Sequence, residues 1–178
     1  MEFVITAGHS NTDPGAVAAD GSTEAKMVLE FRDLVVAGLK QAGATVYADG
    51  NPGDNQPLTT AIALAKARPK VPAIEFHMNA SANVSATGVE SISHPPRKQL
   101  AQRLSQTIAG ATGQRLRGDV GWIDPTASAR GRLGFCDAGG VIVELVFLSN
   151  PGDLARWKAT QRNVAAAVVS MLITYAGD

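Results

Sequence analysis

Gly140 to Leu148 reads GVIVELVFL and is the most continuous apolar run in the chain. Such a run predicts a central strand buried on both faces. A strand of that kind needs cover above and below, which calls for layers of helix packed on a sheet. One residue resists the pattern. Glu144 stands inside the run, and an ionised carboxylate there needs a partner, because burying a lone charge is costly.

The segments before this run supply the layers. Glu2 to Ala7 (EFVITA) is a β-like run stopped by Gly8. His9 to Ser22 is a loop with turn signals at Asp13-Pro14-Gly15 and Asp20-Gly21. Ser22 or Thr23 caps a helix from near Glu24, with Met27, Val28, Phe31, Leu34, Val35 and Leu39 at helical spacing and Gly43 at its end. Ala44 to Ala48 is a short strand, Pro57 to Ala67 a second helix, and Val71 to Met78 a buried strand. Gly88 to Ser93 reads as a strand at an edge. Pro95-Pro96 opens a helix running to about Ala111. Gly113 to Arg132 has little periodicity and reads as a long functional loop. Leu133 to Cys136 reads as a short strand, Asn150 to Asp153 as a turn, and Leu154 to Tyr175 as a closing helix. Helices alternate with strands throughout. The expectation is an α/β chain with a mixed or largely parallel sheet flanked by helices on both faces, forming a single domain over residues 1–178.

Composition narrows the function. Sixteen basic and sixteen acidic side chains cancel, so no basic patch points to nucleic acid. Cys136 is the only cysteine. That excludes an intrachain disulfide and a Cys-rich zinc site, so a metal would be held by His and carboxylates. No stretch approaches the ~18 apolar residues of a membrane span, and Met1 to Gly8 carries no signal-peptide pattern.

The polar residues at the ends of apolar strands carry the chemistry. His9 follows the first strand, His77 ends the Val71 to Met78 strand, Glu144 interrupts the central run and Glu24 opens the first helix. If those strands are parallel and adjacent, the first three converge at one edge of the sheet, where open α/β folds place their ligands. Two His and one Glu are a common catalytic zinc set with a fourth position left open for water. A second carboxylate would then take the proton of that water, and Glu144 is the candidate. Each residue alone has a plainer reading. A His can simply end a strand, Glu24 can be a first-turn acid favoured by the helix dipole, and Glu144 can be a buried salt-bridge partner. Asp13 and Asp20 rival Glu24 as a ligand but sit in turn signals.

Taken in order, these segments resemble a known family. Ala7-Gly8-His9, then Asp13-Pro14-Gly15-Ala16, then Glu24, looks like the opening motif of the zinc-dependent N-acetylmuramoyl-L-alanine amidases of the type 3 family. His77-Met78-Asn79-Ala80 is similar to its second histidine motif, and Val143 to Asn150 resembles its catalytic glutamate strand. The resemblance covers essentially the whole chain. It implies zinc held by His9, Glu24 and His77, Glu144 as general base, and a twisted, mixed sheet of about six strands. The implied reaction is hydrolysis of the amide between N-acetylmuramic acid and the L-alanine of the peptidoglycan stem. Ser10-Asn11 stands where that family usually has glycines, and Glu75 where a small residue is usual.

Further candidates are less direct. Asn79, Trp122 and Arg132 are candidate substrate-binding residues, and Arg117 and Arg130 lie in or beside the same irregular segment, where Arg can pair with a stem-peptide carboxylate. Glu75 shares a strand face with His77 and can orient it; a surface or structural role is its plainer reading. His94 reads as a solvated turn residue and Cys136 as a buried small hydrophobe. The absence of a signal suggests a phage or prophage endolysin, a monomer without membrane insertion, held in the host cytoplasm until a holin-type pore gives it access to the wall. A host with a thin, Gram-negative wall fits a compact lysis enzyme of this kind. Two rivals remain open: another zinc amidohydrolase or peptidase acting on N-acyl amino acids or peptides, and a metal-free wall-binding module.

Overall fold

A computed structural model describes residues 1–128 and 133–177. Among these residues the strands are β1 (Glu2–Ala7), β2 (Thr45–Ala48), β3 (Ala73–Asn79), β4 (Glu90–Ile92), β5 (Trp122–Ile123) and β6 (Val141–Phe147). The helices are α1 (Glu24–Gln41), α2 (Leu58–Ala67), α3 (Lys98–Thr112), α4 (Gly134–Asp137) and α5 (Pro151–Gly177), with single 3-10 turns at Pro95–Arg97 and Pro125–Ala127. They form one six-stranded sheet in the order β2-β1-β3-β6-β4-β5. β1, β2, β3 and β6 run parallel, and β4 pairs antiparallel with β6. The chain thus has the α/β architecture expected of it. No described helix is long and apolar enough to cross a membrane.

Strand alternation sends neighbouring side chains to opposite faces, and the two faces are covered unequally. Phe3, Ile5, Ile74, Phe76, Met78, Val141, Val143 and Leu145 join the larger core with residues of α1, α3 and α5. Within it Phe31 lies edge-on between Phe76 and Trp157, with ring centroids 4.8 Å and 4.9 Å away. That stack ties α1 and α5 to β3. On the other face Val4, Ala73, Ile92 and Ile142 pack with Ala61 and Ala65 of α2 and Phe135 and Cys136 of α4. Further along these strands the same face turns polar: Ala73 is followed by Glu75, His77 and Asn79, and Ile142 by Glu144.

Three local expectations change. The strand around Gly88 to Ser93 is not at an edge, because the two-residue β5 pairs beyond it. Leu133 to Cys136 is not a strand. The backbone closes on itself there, with Asp137 N donating to Leu133 O at 3.0 Å. The closing helix starts earlier than residue 154. Asn150 Oδ1 accepts from the N–H groups of Gly152 (2.9 Å) and Asp153 (3.2 Å), and Pro151 opens the first turn, where its missing N–H costs nothing.

Candidate metal centre

β1, β3 and β6 are parallel neighbours in that register, so their C-terminal ends meet at one place. His77 on β3 stands beside Glu144 on β6 in the ladder. His9 follows β1 with a φ of 67°, a left-handed conformation that a non-glycine residue adopts at a cost. Two glycines make room for the rings. A Cβ on Gly8 would collide with the His77 ring, and one on Gly15 would lie 2.6 Å from His9 Nε2.

Glu24, the first residue of α1, is 1% exposed. Its Oε1 lies 2.9 Å from His9 Nε2 and 3.0 Å from His77 Nδ1, and accepts the Met78 N–H at 2.9 Å. Its Oε2 accepts the Ala16 N–H at 3.1 Å. One ligand atom from each of His9, Glu24 and His77 can be chosen so that all lie within 4.8 Å of one another. The far side of each imidazole meets a carboxylate. His9 Nδ1 lies 3.0 Å from Asp13 Oδ2, and His77 Nε2 lies 3.2 Å from Glu75 Oε2. A carboxylate only accepts, so each imidazole lies between two acceptors, Glu24 on the near side and Asp13 or Glu75 on the far side. A neutral ring has one N–H for those two acceptors, so the cluster calls for positive charge, met by protonation of the rings or by a cation that takes the near nitrogens and Glu24 as ligands. His9 Nε2, although close to Glu24, has no hydrogen-bond partner. The donor set therefore fits a zinc ion.

The titration of the cluster reflects the same demand for positive charge. Burial pushes the His77 imidazole down, but hydrogen bonds to Glu24 and Glu75 and the charges of Glu75 and Glu144 prevail and push it up to about 10. His9 is raised as well, burial being outweighed by Glu24 and Asp13. Burial raises the Glu24 carboxyl, yet the two histidines hold it well below the usual carboxylate range.

A cleft of about 690 Å³ opens over the cluster. His9, Glu24, His77, Asn79 and Glu144 line it together with Arg117. Asn79 Nδ2 donates to Glu90 Oε1 at 2.9 Å, and Arg117 Nε to Glu90 Oε2 at 2.5 Å, while the Arg117 guanidinium lies 4.9 Å from the centre of the Phe147 ring. Trp122, expected at the substrate lip, is not part of the cleft lining. Its Nε1 donates to Ser93 O at 2.9 Å, and Lys98 Nζ sits 4.5 Å from its ring centre, because β5 pairs with β4 and turns the indole toward that strand. Arg130 and Arg132 lie outside the described residues. Asp13 backs His9 from the far side of the ring, and Asp20 pairs with Lys158 at 2.6 Å. Glu75 is 1% exposed, which excludes the surface role. His94 is half-buried and pairs with Asp137 at 3.1 Å.

Sequence reasoning missed the brace behind His9. Arg32, fully buried in α1, donates to Asp49 Oδ1 (2.7 Å), Asn51 O (3.0 Å) and Asp54 O (2.9 Å). Asp49 Oδ2 accepts the Ala7 N–H at 3.3 Å, and Asn55 Nδ2 donates to Gly8 O at 2.8 Å. Asn11 joins the brace, donating to Asp54 Oδ1 at 2.7 Å, and Ser10 Oγ accepts the Asp13 N–H at 3.1 Å. The Ser10-Asn11 pair is thus part of the hydrogen bonding that fixes the turn.

The family model for N-acetylmuramoyl-L-alanine amidase, Amidase_3, matches residues 3–174. A solved protein from Neisseria meningitidis assigned as an N-acetylmuramoyl-L-alanine amidase is 39% identical with a TM-score of 0.90, over 99% of this chain and 96% of that one. The catalytic domain of the amidase CwlV from Bacillus (Paenibacillus) polymyxa var. colistinus superposes with a TM-score of 0.84 at 22% identity, over 99% of this chain and 98% of that one. Ami1 from Mycobacterium smegmatis shares the fold at 20% identity, with a TM-score of 0.81 over 99% of this chain and 97% of that one. No curated protein matches.

Proposed function

This chain belongs to the N-acetylmuramoyl-L-alanine amidase family, and from that premise we propose how its peptidoglycan amidase activity is carried out. His9, Glu24 and His77 would hold a zinc ion. Zinc there would polarise the scissile carbonyl and lower the pKa of a water to about 7. Glu144, next to His77 in the ladder, takes the proton of the attacking water and passes it to the alanine nitrogen as the C–N bond breaks. The products are an N-acetylmuramic acid carboxylate and a stem peptide with a free amino terminus. The cleft over the cluster positions the amide, with Asn79 and Arg117 on its wall.

The observation that carries this reading is the approach of both near nitrogens to Glu24 Oε1, with His9 Nε2 lacking a hydrogen bond. Metal analysis and digestion of purified sacculi test it. The expected result is about one zinc per chain, stem peptides released with intact glycan strands, and activity lost to a chelator and restored by zinc. A metal-free chain that zinc does not activate would overturn it.

The endolysin role is a separate part of the proposal. Cutting stems from glycan removes the cross-links that hold a wall under turgor, so release from the cytoplasm would lyse the host. Expression with and without a holin-type pore tests this: lysis only with the pore supports it, and intact cells in both cases overturn it.

A further inference from the structure

Glu75 is buried on the thinly covered face of the sheet, two residues before His77. Its Oε2 lies 3.2 Å from His77 Nε2, while its Oε1 is buried with no hydrogen-bond partner. A buried carboxylate with one oxygen unsatisfied is a standing cost. Among the described residues its hydrogen-bond partner is the His77 imidazole. The small core there is built from Val4, Ala73, Ile142, Phe135 and Cys136, and an apolar residue in place of Glu75 would extend it.

The carboxylate does something an apolar residue cannot. With a cation at Nδ1, it would accept the N–H of His77 Nε2 and hold the ring with Nδ1 facing Glu24 Oε1, 3.0 Å away. Asp13 stands in the same relation to His9, but its side chain is 63% exposed. Water competes for an exposed contact and weakens it; a buried one keeps its strength. The two histidines are thus backed in the same way from opposite sides, one firmly and one loosely.

We propose that Glu75 is a positioning residue of the metal centre: it fixes the tautomer and orientation of His77 and thereby sets how tightly zinc is held. The inference rests on the reading of His9, Glu24 and His77 as the ligands. Zinc affinity, measured by competition with a chelating dye on the full chain, reads it directly. Glu75→Ala weakens zinc by about 10–100-fold, the usual effect of losing such a partner. Glu75→Gln keeps the shape and an acceptor but not the charge, and falls in between, at roughly 10-fold. Asp13→Asn changes affinity less than either Glu75 variant. Cobalt used as the probe ion shows altered visible absorption in Glu75→Ala and a spectrum closer to wild type in Glu75→Gln, a response that a purely structural role would not produce.

If both Glu75 variants bind zinc within two-fold of the wild type, the proposal is wrong. Should Glu75→Ala fail to fold, Glu75→Gln alone decides by the same criterion. Glu24→Ala separates the two levels. Loss of zinc in Glu24→Ala together with wild-type affinity in the Glu75 variants leaves the ligand set standing and removes Glu75 from it. Retention of zinc by Glu24→Ala overturns the ligand set itself.

Discussion

Beneath α1, α3 and α5 the strands present Phe3, Ile5, Phe76 and Val143; beneath α2 and α4 the same strands present Val4, Thr6, Glu75, His77 and Glu144. Phe76 and His77 are neighbours in sequence and stand on opposite sides of one sheet. The first face is dry and carries Trp157 and Phe31 at 0% exposure. Among the described residues the second packs under α2 and α4 at one end, and further along the strands the polar residues begin. A period of two lets one strand do both jobs, with packing that holds β3 in place and chemistry at its end. Most of those polar groups pair with one another, while Glu75 Oε1 and His9 Nε2 keep no hydrogen bond. The difference teaches that stability and activity should come apart by face.

Glu144→Gln is the sharpest way to test that separation. It removes the proposed base from the polar face without removing a ligand. Activity on sacculi should fall by about 10²–10⁴-fold, with zinc content kept and the melting temperature within a few degrees of wild type. Loss of zinc with residual hydrolysis would mean that Glu144 is a ligand and another group is the base. Trp157→Ala should do the reverse. Emptying a fully buried indole costs about 3–5 kcal/mol, a fall in Tm of roughly 10 °C for a chain of this size. Activity per folded molecule at low temperature should persist. A loss of activity in the folded variant would show that the apolar face positions His77 more closely than its separation from the site suggests.

Parts of this division are readable in the sequence. The apolar run around Glu144 and the apolar spacing in α1 follow from periodicity, and the polar residues at strand ends mark where to look. Arg32 was not legible although the spacing contains it. It lies four residues after Val28 and three before Val35, on the buried side of α1. Its partners are Asp49 and loop carbonyls, and loop contacts have no period to read. Trp122 reads as a lip residue within an irregular segment; a two-residue strand pairing, too short to leave a pattern, turns it toward Ser93. For Glu75, two-residue spacing gives the face. Its burial depends on how far α2 and α4 extend over the sheet.

Arg32 bridges the two faces, since it sits in α1 yet braces the turn that bears His9. Arg32→Met should strand Asp49, itself 3% exposed, and cost roughly 3 kcal/mol. Replacing Asp49 with Leu as well should recover much of that stability, because a neutral pair of similar volume has no charge to bury. The double variant should still bind zinc more weakly than wild type, since Ala7 N–H loses its acceptor. Unfolding curves and zinc titration on the three chains check this. Equal zinc affinity throughout would limit Arg32 to a stabilising role.

Cys136 gives the smallest effect and marks where the polar face ends. It lies on the same side of the sheet as Glu75 but within α4, 1% exposed, with Sγ donating to Ile92 O at 3.4 Å. Burial pushes its thiol up to about 12, so it stays protonated and unreactive near neutral pH. The sign follows: the unfolded thiol ionises near pH 9 and the folded one near 12, so this group takes stability away as the pH rises above about 9. Cys136→Ala should cost about 1 kcal/mol, a Tm change of roughly 2–4 °C, and flatten the alkaline limb of the stability profile. Activity should not change. A Cys136→Ala chain with lost amidase activity would extend the working part of the polar face to α4 itself.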